Sequence, residues 1–185
     1  FAGAVETHCV EALVQNGWAL QSATSHFLGQ NFAKAFGARF TEQDDTMQHA
    51  WGTSWGASTR LVGATIMAHS DDVGLVLPPT VAPIQVVVVV MGKTQEDLRE
   101  TGRVAGELEA ALKQAGVRCR VDDRADLRLG ARLFEWDRKG VPVTLQVGPR
   151  DVQQGEVFAG CRGGLVHETK VKVPLSETAE WVSHH

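Results

Sequence analysis

Cysteine, positive charge and long apolar runs are all scarce in this chain of 185 residues, and each scarcity excludes a class of protein. The three cysteines stand far apart without a C-x-x-C pair, which argues against a disulfide framework or a zinc site and favours a reducing compartment. The net charge of −4 gives no global field for nucleic acid, so any RNA contact has to come from a local patch. The longest apolar run, residues 84–91, is far too short to span a bilayer. We therefore expect a cytoplasmic protein with neither membrane nor DNA as a partner.

The two ends of the sequence also lack familiar signals. No charged stretch followed by an apolar one opens the chain, so we expect no export. The first residue is Phe1 rather than Met, and we expect either a processed chain or a piece of a longer one. At the other end, His184 and His185 fit a frayed native terminus as well as an added tail.

Proline is scarce too, and half of the six prolines fall within one short stretch. Pro78, Pro79 and Pro83 stiffen the backbone and exclude helix, so residues 78–83 are predicted to link two units. We expect a first domain over residues 1–77 and a second over residues 84–185.

The segment before these prolines is predicted to alternate between strands and helices. Two short strands are expected on either side of the Q-N-G turn at residues 15–17. Residues 25–36 repeat apolar side chains at nearly helical spacing, and Gly37 is expected to end that helix. The run HAWGTSWGASTR is predicted to be a strand that leads into a second helix, with Ser58 or Thr59 as its cap.

The segment after the prolines has the pattern of a compact α/β domain. Residues 86–90 are five valines without polar alternation, as expected for a strand buried on both faces. Residues 95–115 repeat apolar side chains at helical spacing, and Gly116 supplies the stop. Further strands and helices follow, and the predicted order βαβαββα favours a mixed sheet.

The run LQSATSHFLGQNF crowds hydrogen-bonding groups and one titratable ring into a short segment next to an amphipathic one. Taken alone, His26 is more often a core or helix-start histidine than a ligand-binding group. Thr24 and Ser58 are equally compatible with helix capping. Arg60 reads as a surface arginine at a helix start, although a positive charge there opposes the helix dipole.

Basic residues also concentrate in one segment of the second domain. Residues 118–139 contain seven arginines and lysines among five acids, a net charge of only +2. By itself this composition is more typical of a solvated face than of an RNA-binding patch.

Four runs, in this order, resemble prolyl-tRNA synthetase, a class II enzyme, in its archaeal and eukaryotic-like form. The runs are LQSATSHFLGQNFAKAF, TSWGASTRLVGATIMAHSDDVGLVLPP, APIQVVVVV and KGVPVTLQVGPRD. The resemblance implies that residues 1–77 are the C-terminal part of the catalytic domain, an antiparallel sheet with helices that includes motif 3. It implies an α/β anticodon-binding domain with a mixed sheet over residues 84–185. Motif 1, motif 2, the Thr-x-Glu loop and the family's C-terminal zinc-like domain have no counterpart here, so an internal fragment is expected.

The resemblance also assigns site residues for a reaction in which the proline carboxylate attacks the α-phosphate of ATP. Arg60 matches the motif 3 arginine over the adenine and phosphates of ATP, and is the expected catalytic residue. ATP binding is implied at Gln21, Thr24, Ser58 and Arg60. Proline binding is implied at Phe1, His26, Trp55 and Gly56.

In the second domain, the resemblance implies anticodon contacts at Arg132, Glu135 and Lys139. His69, Asp71 and Asp72 match a structural motif that is expected to cap the motif 3 helix. The histidines show no metal-ligand spacing, and His167 is among them. ATP is expected with Mg²⁺ held mainly through its phosphates, and the chain itself is expected to bind no metal.

The expected function is that of a proline–tRNA ligase, with proline, ATP and tRNA(Pro) as partners. The full-length enzyme is expected to be a homodimer through segments that this chain lacks. Without motif 2 the isolated chain is expected to be inactive, and residues 1–77 to be unstable because apolar strand edges are exposed. A non-catalytic module that binds the tRNA anticodon, derived from a synthetase, is the alternative.

Overall fold

The computed structural model describes residues 1–162 and 170–184, and the chain divides into two compact units. The first unit is Phe1–Ala68 and the second is His69–His185. His167 and His185 lie outside the described residues. Within the described ranges, no helix has both the length and the apolar composition that a membrane crossing requires.

The first unit is an antiparallel sheet with two short helices. Its elements are β1 Glu6–Leu13, β2 Ala19–Gly29, α1 Asn31–Phe36, β3 Arg39–Thr41, β4 Met47–His49, β5 Gly52–Ala57 and α2 Arg60–Ala68. β2 lies between β1 and β5 and pairs antiparallel with both, while β3 and β4 form a separate hairpin. The predicted β1–β2 hairpin, the strand before the second helix and that helix itself are confirmed.

The predicted helix over residues 25–36 is wrong in its first part. Residues 25–29 continue β2, and α1 begins only at Asn31. Both neighbouring strands pair with β2 at Phe27. The hydrogen bonds of these two ladders outweigh the weak local helix preference, because the apolar spacing of this segment is only nearly helical. The predicted stop at Gly37 is confirmed, because Gly37 takes the left-handed conformation with a φ of 68°.

The first unit buries few side chains. Its buried residues are Val14, Gly29 and Ala64. Large apolar side chains stand exposed on it, among them Phe1, Trp18, Phe36, Trp51 and Trp55. Because removal of apolar surface from water is the main stabilising contribution in folding, we expect this unit to have little stability of its own.

We therefore expect backbone amides of the first unit to exchange with solvent much faster than those of the second. A difference of roughly 100-fold or more between the β2 amides and those of the valine strand at residues 86–90 is the expected result. Hydrogen exchange followed by mass spectrometry on the whole chain measures it. Equal protection of the two strands would contradict the prediction.

The second unit is built on a five-stranded mixed sheet in the order β10-β9-β8-β6-β7. Its elements are β6 Val86–Val90, α3 Gln95–Gln114, β7 Cys119–Asp122, α4 Leu129–Arg138, β8 Val143–Val147, α5 Pro149–Gln154, β9 Glu156–Cys161, β10 Lys170–Pro174, a 3₁₀ turn Leu175–Glu177 and α6 Thr178–His184. β6 pairs parallel with β7 and β8, and β8–β9 and β9–β10 are antiparallel. The predicted mixed sheet is confirmed.

The valine strand lies at the centre of this unit. All five residues of β6 are buried, with Val86 and Val88 in one apolar cluster and Val87 and Val89 in another on the other face. This arrangement explains the absence of polar alternation. The prediction missed α5 and β10: α5 has only six residues, and β10 alternates lysine with valine as an edge strand does.

The helix of residues 95–114 begins and ends as the sequence predicts. Thr94 and Asp97 form a reciprocal capping box at its start. Gly116 follows its end with a φ of 79°. Apolar side chains on one face pack against the sheet, including Val104, Leu108 and Leu112.

The proline stretch contains neither helix nor strand, as the prolines predict. The Arg118 guanidinium donates hydrogen bonds to the carbonyls of Pro79, Thr80 and Ala82, at 3.0 to 3.1 Å. The stretch is therefore held, through its backbone carbonyls, against the rest of the second unit. The domain limits 1–77 and 84–185 stay predictions.

Gly74 lies so close to α4 that a side chain has no room. A Cβ at this position would stand 2.5 Å from the Arg138 Cα and 2.8 Å from the Asp137 carbonyl oxygen. We expect Gly74→Ala to destabilise the second unit by about 1–3 kcal/mol, because backbone has to move. Gly106→Ala on exposed helix surface, where a Cβ meets nothing within 4 Å, should instead stabilise it by about 0.5–1 kcal/mol. Hydrogen exchange of the β6 amides measures both effects, and equal values for the two variants would contradict the prediction.

Candidate functional site

A bulge in β2 decides which of its polar side chains share one face. Val10 pairs with Ala23 and Glu11 with Gln21, so Ser22 is left out of the ladder. Strict alternation along β2 would direct the Gln21 side chain to one face of the sheet and the Thr24 and His26 side chains to the other face. The bulge shifts the register by one residue and brings Gln21 to their face of the sheet.

The neighbouring strand and helix complete this face. Gly56 pairs with Thr24 and Ser54 with His26 on β5. After β5 the chain turns into α2, where the Ser58 hydroxyl accepts a hydrogen bond of 3.3 Å from the Arg60 backbone N–H. The Ser58 capping prediction is thereby confirmed. The Arg60 guanidinium reaches back over β2 and donates to the Gln21 carbonyl at 3.5 Å.

These elements enclose an open groove of about 370 Å³ within the first unit. Seven of the eight residues that the resemblance assigns to ATP and proline line it: Gln21, Thr24, His26, Trp55, Gly56, Ser58 and Arg60. The eighth, Phe1, stacks on the His26 ring with a centroid distance of 4.6 Å. The structure thus brings all eight together, and their individual roles stay predictions.

Trp55 differs from the others in its orientation. It pairs with Ser25 and not with His26, so β alternation directs its side chain to the opposite face of the sheet. Its indole is exposed. A proline-pocket wall at Trp55 therefore has less geometric support than one at Phe1.

Sequence reasoning missed the residues of β1 that share the groove face. Thr7 lies opposite His26 in the ladder, and its hydroxyl is 2.9 Å from the ring Nδ1. Cys9 lies opposite Thr24, and its Sγ is 3.6 Å from the Gln21 amide nitrogen. Thr7 and Cys9 occupy alternate positions of the predicted strand, which indicates that they share a face of the sheet. The local sequence does not determine the strand register that pairs Thr7 with His26.

In the second unit, the three predicted anticodon residues lie in different surroundings. Arg132 is buried, and its guanidinium donates to the carbonyls of Val90 at 2.8 Å and Asp122 at 3.1 Å. Glu135 bonds to Lys139 at 2.6 Å and to Arg124 at 2.8 Å. Partners within the protein therefore occupy many of the hydrogen-bonding groups of these side chains.

Asp122 is the centre of this network. Its buried carboxylate accepts from Arg124 at 2.8 and 3.0 Å and from the Trp136 indole N–H at 2.7 Å, and Arg132 stands 3.7 Å away. Burial by itself raises the pKa of Asp122, but the hydrogen bonds from Arg124 and Trp136 outweigh it and hold that pKa well below its usual range. Asp122 is thus a charged anchor for two arginines and a tryptophan.

A crevice of about 640 Å³ opens where β6 and β8 end. β7 and β8 flank β6 on opposite sides, so the chain order reverses here, and such switch points are the usual ligand sites of open α/β sheets. The lining includes Gly92, Lys93, Leu127, Arg132, Gly148 and Arg150. The buried Arg132 Nε has no hydrogen-bond partner in the described part of the chain.

Sequence reasoning also missed this crevice, although a signal was present. Both β6 and β8 are followed within two residues by a glycine and then by a helix. A Cβ on Gly92 would lie 2.8 Å from the Asp97 Cβ, so glycine allows the close approach of strand end and helix. Lys93 and Arg150 stand at these turns.

The motif around His69 is held in place by contacts of Asp71. The Asp71 carboxylate accepts from the backbone N–H groups of Val73 and Gly74, and it forms an ion pair with Arg162. The Arg162 contact is the main reason why the pKa of Asp71 lies well below its usual range. Asp71 thus has the structural role that was predicted for this motif, and capping of the motif 3 helix stays a prediction.

Metal-binding groups are not assembled in the described residues, where no three histidine, cysteine or acidic side chains come together. Cys9, Cys119 and Cys161 are free thiols.

Residues 85–185 match the anticodon binding domain family, and the chain belongs to that family. Over most of its length the chain is homologous to proline–tRNA ligases. It is 52% identical over 168 residues to the one from Flavobacterium johnsoniae, covering 91% of this chain and 34% of that relative. It is 54% identical over 157 residues to the one from Chloroflexus aurantiacus, covering 85% of this chain and 32% of that relative.

Solved structures lead to the same family. Prolyl-tRNA synthetase from Cryptosporidium parvum, in complex with L-proline and AMP, superposes with a TM-score of 0.86 at 39% identity, covering 100% of this chain and 39% of that one. The Giardia lamblia enzyme in complex with prolyl-adenylate has a TM-score of 0.84 at 31% identity, covering 96% and 36%. The predicted resemblance and fold class are confirmed. The chain spans about a third of the length of the relatives that it matches.

Proposed function

We propose that this chain supplies part of a proline–tRNA ligase, which activates proline with ATP to prolyl-adenylate and transfers it to tRNA(Pro). The observation that carries the proposal is the groove of the first unit, which gathers Gln21, Thr24, His26 and Arg60 on one face. The named relatives and the ligands of their solved structures support it.

The groove suits a reaction that needs positioning and charge neutralisation more than a protein nucleophile. Arg60 offers a planar, permanently charged group that binds phosphate oxygens through two parallel hydrogen bonds. Gln21 and Thr24 are proposed to contact the nucleotide, and Ser58 accepts a hydrogen bond in the turn from which Arg60 starts. Mg²⁺ is proposed to accompany ATP, held mainly by the phosphates of the nucleotide and by groups outside this chain.

The proline end of the groove is proposed to lie at His26 and Phe1. The stacked rings offer an apolar surface to a five-membered ring, with the histidine nitrogen as one of few polar groups. An apolar pocket discriminates by only about 1–3 kcal/mol per methylene, so small amino acids are expected to compete with proline.

For tRNA, we place the anticodon contact at the crevice where β6 and β8 end. Lys93 and Arg150 are exposed there, and the Arg132 Nε–H at its wall has no hydrogen-bond partner among the described residues. Single-stranded RNA is recognised by basic groups on phosphates and by pockets for splayed bases, and this crevice offers both. We propose the anticodon contact at this crevice and not at Glu135 and Lys139, because the charges of these two residues already face each other and Arg124.

The crevice proposal predicts a charge-dependent loss of RNA binding. We expect Lys93→Ala with Arg150→Ala to weaken binding of tRNA(Pro) by the chain at least about 10-fold, and to lower the salt slope of the binding constant by about 1 per charge removed. The control is Arg99→Ala with Lys113→Ala on α3, which removes the same charge outside the crevice lining. Equal losses in both double variants would overturn the crevice assignment.

Ligase activity is tested by a chimera. The matching segment of the Flavobacterium johnsoniae protein is replaced by this chain, and proline-dependent ATP–pyrophosphate exchange is measured beside that relative itself. We expect exchange within about 10-fold of the relative. A folded chimera that binds tRNA but shows no exchange would refute the ligase proposal and favour the non-catalytic anticodon-binding alternative. A cytoplasmic homodimer is the proposed setting, and gel filtration of the chimera tests the dimer.

A further inference from the structure

The Thr7 hydroxyl contacts the histidine that is proposed to lie at the proline end of the groove. It lies directly opposite His26 in the β1–β2 ladder, and its Oγ1 is 2.9 Å from the ring Nδ1. That distance is within the ordinary range for a hydrogen bond. One ring nitrogen of His26 is therefore engaged by the protein, and Nε2 is the ring nitrogen that remains for a ligand.

The ring is held from a second direction by Phe1. The two rings stack at a centroid distance of 4.6 Å and an interplanar angle of 28°. A tight turn brings Phe1 into place: Ala4 N–H donates to the Phe1 carbonyl at 3.2 Å, and Gly3 has a φ of 86°. The Asn31 amide donates to the Gly3 carbonyl at 3.1 Å and ties this turn to α1. Edge and face of the His26 ring are thus both fixed.

We propose that Thr7 is a positioning residue for the proline site: its hydroxyl donates to Nδ1 of His26 and thereby presents Nε2–H to the groove as a hydrogen-bond donor. A neutral imidazole has one donor and one acceptor nitrogen, so a donor on Nδ1 fixes the proton on Nε2. An Nε2–H group recognises an acceptor, and in an amino acid substrate that acceptor is a carboxylate oxygen and not the ammonium group. The inference deepens the proposed function and rests on it for the identity of the ligand.

The first test is the tautomer of His26 in the whole chain. Long-range ¹H–¹⁵N NMR correlations of the imidazole are recorded at mildly alkaline pH, and they report which ring nitrogen carries the proton. We expect the proton on Nε2 and a resolved Thr7 hydroxyl proton correlated with Nδ1, which Thr7→Ser keeps and Thr7→Val removes. A proton on Nδ1 in the unmodified chain would overturn the proposal.

The second test separates positioning from a general structural role. L-proline and AMP are titrated separately into the chain and its variants. We expect Thr7→Val to weaken proline binding about 3- to 10-fold, the worth of one hydrogen bond, with AMP binding unchanged, and Thr7→Ser to restore it. The matched control is Thr53→Val on β5, whose ladder partner is Phe27 on the opposite face of the sheet. Equal loss of both ligands in Thr7→Val, or no loss of either, would refute the positioning role.

The two tests also distinguish this inference from the proposed function. If the unmodified chain binds no proline while His26 carries its proton on Nε2 with the Thr7 hydroxyl bonded to Nδ1, the substrate assignment fails and the Thr7 contact stands. If proline binds and His26 carries its proton on Nδ1, the positioning role fails and the substrate assignment stands.

Discussion

Replacement of Arg60 by alanine is expected to reduce proline-dependent ATP–pyrophosphate exchange of the chimera by about 100- to 1000-fold. Loss of one preorganised donor to charge that develops in a transition state costs roughly 3 kcal/mol, and Arg60 is the cationic side chain of the groove lining. The substitution should leave the fold intact. Arg60 is exposed, and the hydrogen bond that its guanidinium forms within the described residues is the 3.5 Å contact with the Gln21 carbonyl.

Arg60→Lys is the matched variant for this experiment. Lysine keeps the charge but loses the planar group that binds two oxygens in parallel, so we expect an intermediate loss of about 10-fold or more. Unfolding of both variants should stay within about 0.5 kcal/mol of the unsubstituted chimera, as is usual for exposed side chains. Exchange by Arg60→Ala within threefold of the parent would remove Arg60 from the proposed site.

Replacement of Asp122 by asparagine is expected to cost the second unit about 3–5 kcal/mol of unfolding free energy. Removal of one partner from a buried charged pair leaves the other charge uncompensated. Here the buried Arg132 loses the nearby negative charge, Arg124 loses the charge and one of the two acceptor oxygens that it binds, and Trp136 loses a charged acceptor for its indole N–H.

The neighbouring Asp123→Asn is the matched control, since Asp123 is exposed and undergoes the same chemical change. Exchange of the β6 amides at neutral pH measures the stability of the second unit for both variants. We expect Asp123→Asn to stay within about 0.5 kcal/mol of the parent. A similarly small effect of Asp122→Asn would contradict the network as the structure describes it.

The same carboxylate predicts a dependence on acid. Because the folded-state pKa of Asp122 lies below the ordinary aspartate value of about 3.9, its contribution is present in full above that value. It is lost as the pH falls through the folded-state pKa, where protonation removes the charge in the native state. The stability difference between the parent and Asp122→Asn should therefore be constant from neutral pH to about pH 5 and shrink in stronger acid.

The role of Asp122 could not be read from the sequence. In the basic segment of residues 118–139 it is one of five acids, and charge counting treats all five alike. The structure separates them by burial: Asp122 sits at the end of a strand under Arg124 and Trp136, while Asp123 and Asp126 are exposed. Glu135 and Lys139, predicted as RNA contacts, prove to be each other's partners one helical turn apart.

Local chemistry determined much of the fold. The five valines of β6, the capping box at Thr94 and the glycines after α1 and α3 each specify an element through residues close in sequence. The family motifs likewise identified the groove residues before any geometry was known, because those motifs are contiguous runs of sequence.

Only the tertiary structure decided how the run LQSATSHFLGQNF is used. Its nearly helical spacing gave way to a strand, because β1 and β5 pair with it from both sides. The bulge at Ser22 then set Gln21 on the face of Thr24 and His26, and the ladder placed Thr7 against the His26 ring. Strand register arises from pairing between segments that are distant in the sequence. The sequence by itself therefore identified candidate residues of this site, and the pairing of strands determined which of them come into contact.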